Sequence, residues 1–316
     1  MIRSNFDRAI RRPSVVTFGV FDGLHRGHQA IVERVVQLAR QRGGCASVVT
    51  FDPHPALVLA PMKAPRLIGT LDQRLEGLER LGIEQVAILG FDESAAREDA
   101  ASFVQRVLVE YLGASDLVVG DDVHFGRGRE GDLALLVREG ERHGFQVHRS
   151  PTLGDGGRFS SSAVRSALEI GDVAGARTIL GRPFVLRGGV VHGDARGREI
   201  GFATANIDFA ARQQVPNRGI YAGAVRWTGS PWRCAAVSVG TRPQFYDDGH
   251  LLVEVHIADF SADLYDEVLD VAFLESLRSE ARFASVDELV AQMGRDVAKS
   301  REIFSEFTPQ AWVLLG

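Results

Sequence analysis

The sequence predicts an α/β protein in two parts: a doubly wound parallel sheet over residues 1–181, and an antiparallel β-barrel with a terminal helix over residues 182–316. Three observations lead there. The chain has 316 residues, against a typical domain of about 150. From Ser14 to about Leu180, short apolar runs alternate with segments of helical period, as in a parallel sheet with crossover helices. Beyond Gly181-Arg182-Pro183 the texture changes to Val-rich runs separated by Gly, Pro and Asp, with no helix between them.

The elements follow in order. Ser14–Val20 reads as a buried strand, and His28–Arg42 as a helix with Ile31, Val35, Leu38 and Ala39 on one stripe and a stop at Gly43-Gly44. Ser47–Phe51 is the next strand. Helices over Asp72–Leu81, Asp99–Leu112 and Leu133–His143 then lead to strands over Gln85–Leu89, Asp116–Val119 and Phe145–His148. Two short helices, Ser160–Ile170 and Asp172–Leu180, close this half. Strands over Val185–His192, Gly219–Trp227, Arg233–Val239, Leu251–Ala258 and Val268–Phe273 follow in succession, and an amphipathic helix over Val286–Phe304 finishes the chain.

Composition excludes several classes. With 45% hydrophobic and 24% charged residues the chain can build real cores and is not a disordered or fibrous protein. A net charge of −5 supplies no positive field for nucleic acid or an anionic membrane. No run of 18 apolar residues offers a membrane span, and Met1–Arg8 lacks the apolar core of a secretion signal, so a cytoplasmic protein is expected. Cys45 and Cys234 lie too far apart for a Cys-rich metal site and are expected as buried thiols in a reducing compartment. Of 36 basic residues only Lys63 and Lys299 are lysines, which leaves 34 arginines. No Gly-Lys-Ser/Thr phosphate loop and no kinase-type Val-Ala-Ile-Lys occurs, so any phosphate must be handled by Arg, His, backbone amides and a metal.

In an open parallel sheet ligands bind beyond the carboxyl ends of the strands. The segment Gly19-Val20-Phe21-Asp22-Gly23-Leu24-His25-Arg26-Gly27-His28 sits there, between the first strand and the first helix. His25 and His28, three apart, share one face of a helix start, where free amides and the helix dipole favour anions, and Gly27 between them lets a phosphate approach the backbone. This suits attack on a nucleotide α-phosphate, with histidines stabilising charge as pyrophosphate leaves. The plain alternative is a strand-to-helix turn with two partly exposed histidines. Ser160, Ser161 and Arg165 open a later helix and offer a second phosphate cradle, or read plainly an N-cap. Asp52 in Thr50-Phe51-Asp52-Pro53-His54-Pro55 and Asp122 in Gly120–Gly126 follow strand ends and are expected in the same crevice. Gly126-Arg127-Gly128-Arg129-Glu130-Gly131 matches the dinucleotide fingerprint, but five residues separate it from its strand, and the next strand ends in His148-Arg149 instead of an acid.

The second half carries its own constellation. Gly188–Arg198 is rich in Gly and Arg around a turn, and Gly201-Phe202-Ala203-Thr204-Ala205-Asn206 follows. Thr204 and Asn206 face one side if extended and offer a hydroxyl and an amide oxygen to a hard cation. Glu254 lies inside the apolar run Val253-Glu254-Val255-His256, where a carboxylate could accept the proton of an alcohol attacking ATP. Taken singly, each reads equally as structure: a Gly-rich hairpin, a polar turn and an outward Glu.

Together these segments resemble the bacterial bifunctional riboflavin kinase/FMN adenylyltransferase (FAD synthetase) family. The resemblance runs from about Val15 to Phe304, with Gly-Val-Phe-Asp-Gly-Leu-His-Arg-Gly-His, Thr-Phe-Asp-Pro-His-Pro, Ser-Ser-Ser-Ala-Val-Arg, Leu-Gly-Arg-Pro-Phe, Gly-Phe-Ala-Thr-Ala-Asn and Leu-Arg-Ser-Glu-Ala-Arg-Phe in the family's order. It implies a nucleotidyltransferase-like N-terminal half that adenylylates FMN to FAD, and a C-terminal β-barrel kinase that phosphorylates riboflavin. The implied substrates are ATP, riboflavin and FMN, with Mg²⁺ as cofactor and no nucleic-acid or membrane partner. Carried over residue by residue, His25, His28 and Arg165 are catalytic in the first site, and Gly19, Phe21, Gly27, Ser160 and Ser161 bind ATP there. Asp52 and Asp122 lie near its flavin. In the kinase site Gly193, Gly197 and Arg198 bind ATP, Thr204 and Asn206 hold the metal, Glu254 is the base and Arg278 lies near the flavin.

Some positions depart from the family pattern. Ala203 replaces a proline before Thr204, which loosens that loop by a few tenths to about 1 kcal/mol. Gln244 stands for a usual Thr, Asp266 for a usual Gly after Tyr265, and Val123 for a common Phe. None removes a proposed ligand or base, and three of the four bear on the kinase half. The alternatives are an active adenylyltransferase half alone, or a flavin-binding module without turnover.

Overall fold

A computed structural model describes residues 1–6, 13–150, 159–192, 201–241 and 251–307. Its contacts divide the chain into two compact units, one of residues 1–65 with 71–160, the other of 66–70 with 161–316.

The first unit is a six-stranded, all-parallel sheet in the order β1-β4-β3-β2-β5-β6. The strands are β1 (Ile2–Ser4), β2 (Ser14–Phe18), β3 (Cys45–Asp52), β4 (Gln85–Gly90), β5 (Ala114–Gly120) and β6 (Gln146–Ser150). The helices are α1 (Arg26–Arg42), α2 (Pro55–Leu59), α3 (Leu71–Arg80), α4 (Glu93–Arg97), α5 (Ala100–Phe103, continuing as a π-helical stretch to Tyr111) and α6 (Leu133–His143). Strand alternation sends successive residues into two cores. Val15, Val48, Val86 and Val118 pack with Val32, Val35, Leu75 and Leu78 of α1 and α3. Val16, Val49, Ala87 and Val119 pack with Phe103, Val107, Leu108 and Leu136 on the other face. Strand order reverses between β2 and β5, which makes their carboxyl ends the place for a ligand.

Every helix and strand expected in this half is present, with ends shifted by a few residues. Helix α1 starts two residues early because His25 caps it, its Nδ1 accepting the His28 amide. Strand β1 was not expected, since three residues carry no periodicity; it pairs with β4 at the sheet edge. The Gly126–Gly131 stretch forms a loop closed by a Phe125–Gly131 bridge, with a 3-10 turn over Arg127–Arg129, and α6 begins only at Leu133. This is not the strand–turn–helix of a dinucleotide site, so the fingerprint is fortuitous.

The second unit contains a closed antiparallel barrel, order β10-β11-β8-β7-β12-β9. Its elements are α7 (Ser161–Glu169), α8 (Val173–Leu180), β7 (Phe184–Val191), β8 (Ala205–Asp208), β9 (Gly219–Arg226), β10 (Arg233–Thr241), β11 (Leu251–Ile257), β12 (Val268–Arg278) and α9 (Val286–Glu306). Val237, Val239, Val253, Val255, Leu269, Val271 and Phe273 fill the interior, and Val164, Leu168, Val173, Ala176 and Leu180 of α7 and α8 belong to the same cluster. Apart from residues 66–70, the second compact unit therefore begins at Ser161, while the change of texture lies at Gly181: texture records the type of element, and packing follows the apolar stripes of α7 and α8. On the outside, small residues (Ala222, Ala224 and Ala272) admit α9, whose Ile303 and Phe304 cover them with Leu274. Strand β8 was missed because it has only four residues. Of the two thiols expected to be buried, Cys45 is buried and Cys234 is half-buried, its pKa pushed up to about 11 by desolvation.

Candidate functional site

In the first unit a cavity of about 680 Å³ opens at the carboxyl ends of β2, β3 and β5. The loop after β2 supplies Gly19, Phe21, His25, Gly27 and His28 to its wall; Asp122, His124 and Arg129 come from the loop after β5, and Phe159 and Ser160 from the end of the unit. The His25 and His28 rings stack with centroids 3.6 Å apart, and Phe21 meets His28 edge-on at 5.1 Å. Because His25 Nδ1 accepts the His28 amide at 3.4 Å, His25 carries its proton on Nε2. A Cβ on Gly27 would lie 3.2 Å from the His25 ring and 3.3 Å from the Phe159 carbonyl oxygen, so any side chain there crowds the pair. The helix start, the stacked rings and the glycine make one surface of N–H donors suited to phosphate oxygens.

The electrostatics of this surface depend on a residue that sequence reasoning missed. His28 titrates well below the ordinary range, first through desolvation and then through the nearby His25 and Arg74 charges. Its Nδ1 is buried without a hydrogen-bond partner, so neutral His28 is better served with its proton on Nε2. Arg74 of α3 is only 5% exposed. Its Nη1 donates to Thr50 Oγ1 and to the Phe51 carbonyl, each at 3.0 Å. Burial lowers its pKa, opposed by Asp22 and Asp52. The signal was available: Leu71, Arg74, Leu75 and Leu78 fall on one helical stripe, which puts an arginine on the buried face.

The other predicted residues distribute as follows. Asp122 lines the cavity, whereas Asp52 is exposed at the end of β3, outside the lining and close enough to Arg74 to favour its charge. His54 caps α2 by accepting the Ala56 amide at 3.1 Å. Ser161 and Arg165 lie on α7 in the second unit, where Arg165 Nε donates to the Arg66 carbonyl at 2.6 Å.

The barrel brings the second constellation together by register. Asn206 of β8 pairs directly with Glu254 of β11, and Glu254 with Ser238 of β10. Cross-strand partners share a face. Val253 and Val255 point into the core, so Asn206, Glu254 and Ser238 form a polar row on the opposite face. Asn206 is 7% exposed. Thr204 immediately precedes β8, and the His256 ring next to this row donates from Nδ1 to the Ala203 carbonyl at 2.9 Å. His192 stacks on Tyr265, centroids 3.7 Å apart. Arg278 forms a two-pronged ion pair with Asp296 of α9, its Nη2 2.7 Å from Oδ2, which ties β12 to the terminal helix. Gly193, Gly197, Arg198 and Gln244 lie outside the described residues. A carboxylate beside a buried amide oxygen and a hydroxyl-bearing loop can accept a proton and hold a hard cation. No cluster of three or more His, Cys, Asp or Glu suited to a metal occurs among the described residues.

Comparison with known proteins is consistent with both halves. A family model described as FAD synthetase matches residues 7–164, and one described as riboflavin kinase matches residues 180–304. A protein of Escherichia coli strain K12 named bifunctional riboflavin kinase/FMN adenylyltransferase is 40% identical over 306 residues, covering 96% of this chain and 97% of its own. A protein of the same name from Pseudomonas fluorescens is 41% identical, covering 94% of each. A crystal structure titled macrolide-efflux protein from Streptococcus pneumoniae superposes with a TM-score of 0.85 at 31% identity, over 98% of this chain and 100% of that one. Among the described residues of this chain no helix is long and apolar enough to cross a membrane.

Proposed function

The chain belongs to the family of bifunctional riboflavin kinases/FMN adenylyltransferases, and from that premise we propose how its own residues divide the two reactions. The protein is a transferase with two activities, phosphorylating riboflavin to FMN with ATP and joining FMN to the AMP moiety of a second ATP to give FAD and pyrophosphate. We assign adenylyl transfer to residues 1–181 and phosphorylation to residues 182–316.

The observation that carries the assignment is the contrast between the two surfaces. The first presents N–H donors and a His28 held neutral; the second presents a carboxylate in register with an amide oxygen. In adenylyl transfer an FMN phosphate oxygen attacks the α-phosphorus and the bond to pyrophosphate breaks. The nucleophile is already an anion, so the site needs donors and no base. Nε2–H of His25 and of His28, with the amides at the start of α1, would hold the phosphoryl oxygens; Gly27 and Ser160 leave them room, and Asp122 flanks the flavin. In the kinase reaction the nucleophile is the neutral ribityl 5′-hydroxyl. Glu254 would accept its proton as the oxygen bonds to the γ-phosphorus and ADP departs.

Thr204 and Asn206 fit Mg²⁺, since both offer uncharged hard oxygens, two residues apart beside Glu254. Held there, Mg²⁺ would supply positive charge against that of the ATP phosphates. Small molecules are the partners this surface supports; with a net charge of −5, nucleic acid is not among them, and we place the enzyme in the cytoplasm.

The test is a product assay on purified protein with riboflavin or FMN, ATP and Mg²⁺, the flavins being separated by chromatography. Expected is FAD appearing after transient FMN. Riboflavin unchanged while FMN is converted would make only the first half active, and no conversion of either would leave a flavin-binding module.

A further inference from the structure

A guanidinium is costly to bury, and a helix stripe facing a core is most stable with an apolar residue. Arg74 breaks that rule between Leu71 and Leu78, at 5% exposure. Its hydrogen-bonded partners are neutral, and its Nε is buried without any. A residue kept only for packing would not be left part-satisfied, whereas buried charges beside clefts cluster at functional sites.

The hydrogen bonds give it a task. Arg74 Nη1 donates to Thr50 Oγ1, and that hydroxyl donates to the Val20 carbonyl at 3.2 Å. Val20 opens the loop that ends in His25 and His28, and Phe51, whose carbonyl takes the second Arg74 bond, lines the same cavity. One side chain thus connects α3, the end of β3 and the histidine loop. We propose that Arg74 is a positioning residue for adenylyl transfer, fastening the histidine loop to β3 through Thr50 and setting a fixed positive charge beside the histidine pair.

The charge has a consequence for His28. The ionisable groups that face it are His25 on its own loop and Arg74 on α3; Asp22 and Asp52 face Arg74 in turn. Removing the guanidinium takes away one of the causes that keep the imidazole neutral. The inference rests on the assignment of His25 and His28 to adenylyl transfer, and His28→Ala tests that assignment separately: normal FAD formation in that variant would overturn the assignment itself.

The experiment uses the full chain, with FMN-to-FAD and riboflavin-to-FMN conversion measured in parallel and ¹⁵N-histidine NMR following the His28 titration. Arg74→Met is expected to lower kcat for FAD formation by about tenfold or more with FMN formation unchanged, because a small misplacement of reacting groups costs about that much or more. The His28 titration should move to higher pH. Arg74→Lys keeps the charge and loses the fork, so it should restore the titration and only part of kcat. Thr50→Val, which cuts the link without touching the charge, should lower kcat and leave the titration in place. Arg74→Met with kcat within twofold and an unmoved titration overturns the proposal. Should that variant fail to fold, Arg74→Lys and Thr50→Val decide: full FAD formation in both overturns it.

Discussion

At the scale of single residues, protonation gives the sharpest expectations. The His28 imidazole is held neutral in the folded protein, against an ordinary value of about 6.5 in the unfolded chain. Between those two values the unfolded chain binds the extra proton and the folded one does not. Stability contributed by His28 is therefore complete above about pH 6.5 and falls as the pH drops toward the lower, folded value. Replacing His28 with Asn should flatten this part of the curve of melting temperature against pH, measured from pH 5 to 7.5; an unchanged slope would show that other groups set it. Asp266 offers a second expectation. Its φ is +65°, a left-handed conformation that glycine adopts without the strain of a Cβ. Asp266→Gly should stabilise the barrel by a few tenths to about 1 kcal/mol in urea unfolding, and a loss of stability would mean that the Asp side chain holds the turn. The histidine pair was legible in the chain because three-residue spacing at a helix start is a local property. Arg74 was harder to see, because an arginine on a helix ordinarily faces water and only its place among Leu71, Leu75 and Leu78 marks it as buried.

Among elements, the outer wall of the barrel is braced by one carboxylate. Asp270 of β12, 8% exposed, pairs across the ladder with Arg187 of β7 at 2.6 Å and Arg226 of β9 at 3.0 Å, and Arg226 stacks over Trp232. Removing the acid leaves two largely buried guanidinium groups facing each other. Asp270→Ala should cost about 3 kcal/mol of unfolding free energy, measured by chemical denaturation, and a change below about 1 kcal/mol would show the pair to be solvated like a surface one. The same scale explains which elements were visible beforehand. Long periodic segments such as α1, α6 and α9 were, as were Val-rich strands. Strand β8 was not, since four residues after a Gly-rich stretch hold too few alternations; yet it is the element that carries Asn206 to Glu254. The bulges that extend β12 to Arg278, where it meets Asp296, leave no mark in the alternation of side chains either.

For the whole molecule, each unit has its own apolar core, so a change at one polar surface should leave the other chemistry standing. Glu254→Gln is expected to abolish FMN formation while FMN-to-FAD conversion stays within about twofold, and His28→Ala to do the reverse, both read from the same chromatogram; loss of both activities in either variant would mean a shared site. Fold class, the order of most elements and the kinds of chemical group available could be read from the chain alone, because periodicity, glycine placement and histidine spacing are properties of neighbouring residues. The pairing of Asn206 with Glu254, the joining of α7 and α8 to the barrel and the placing of Arg74 beside His28 came from folding. Each joins residues distant in sequence, and strand register and core packing, which local pattern does not encode, decide which of them meet.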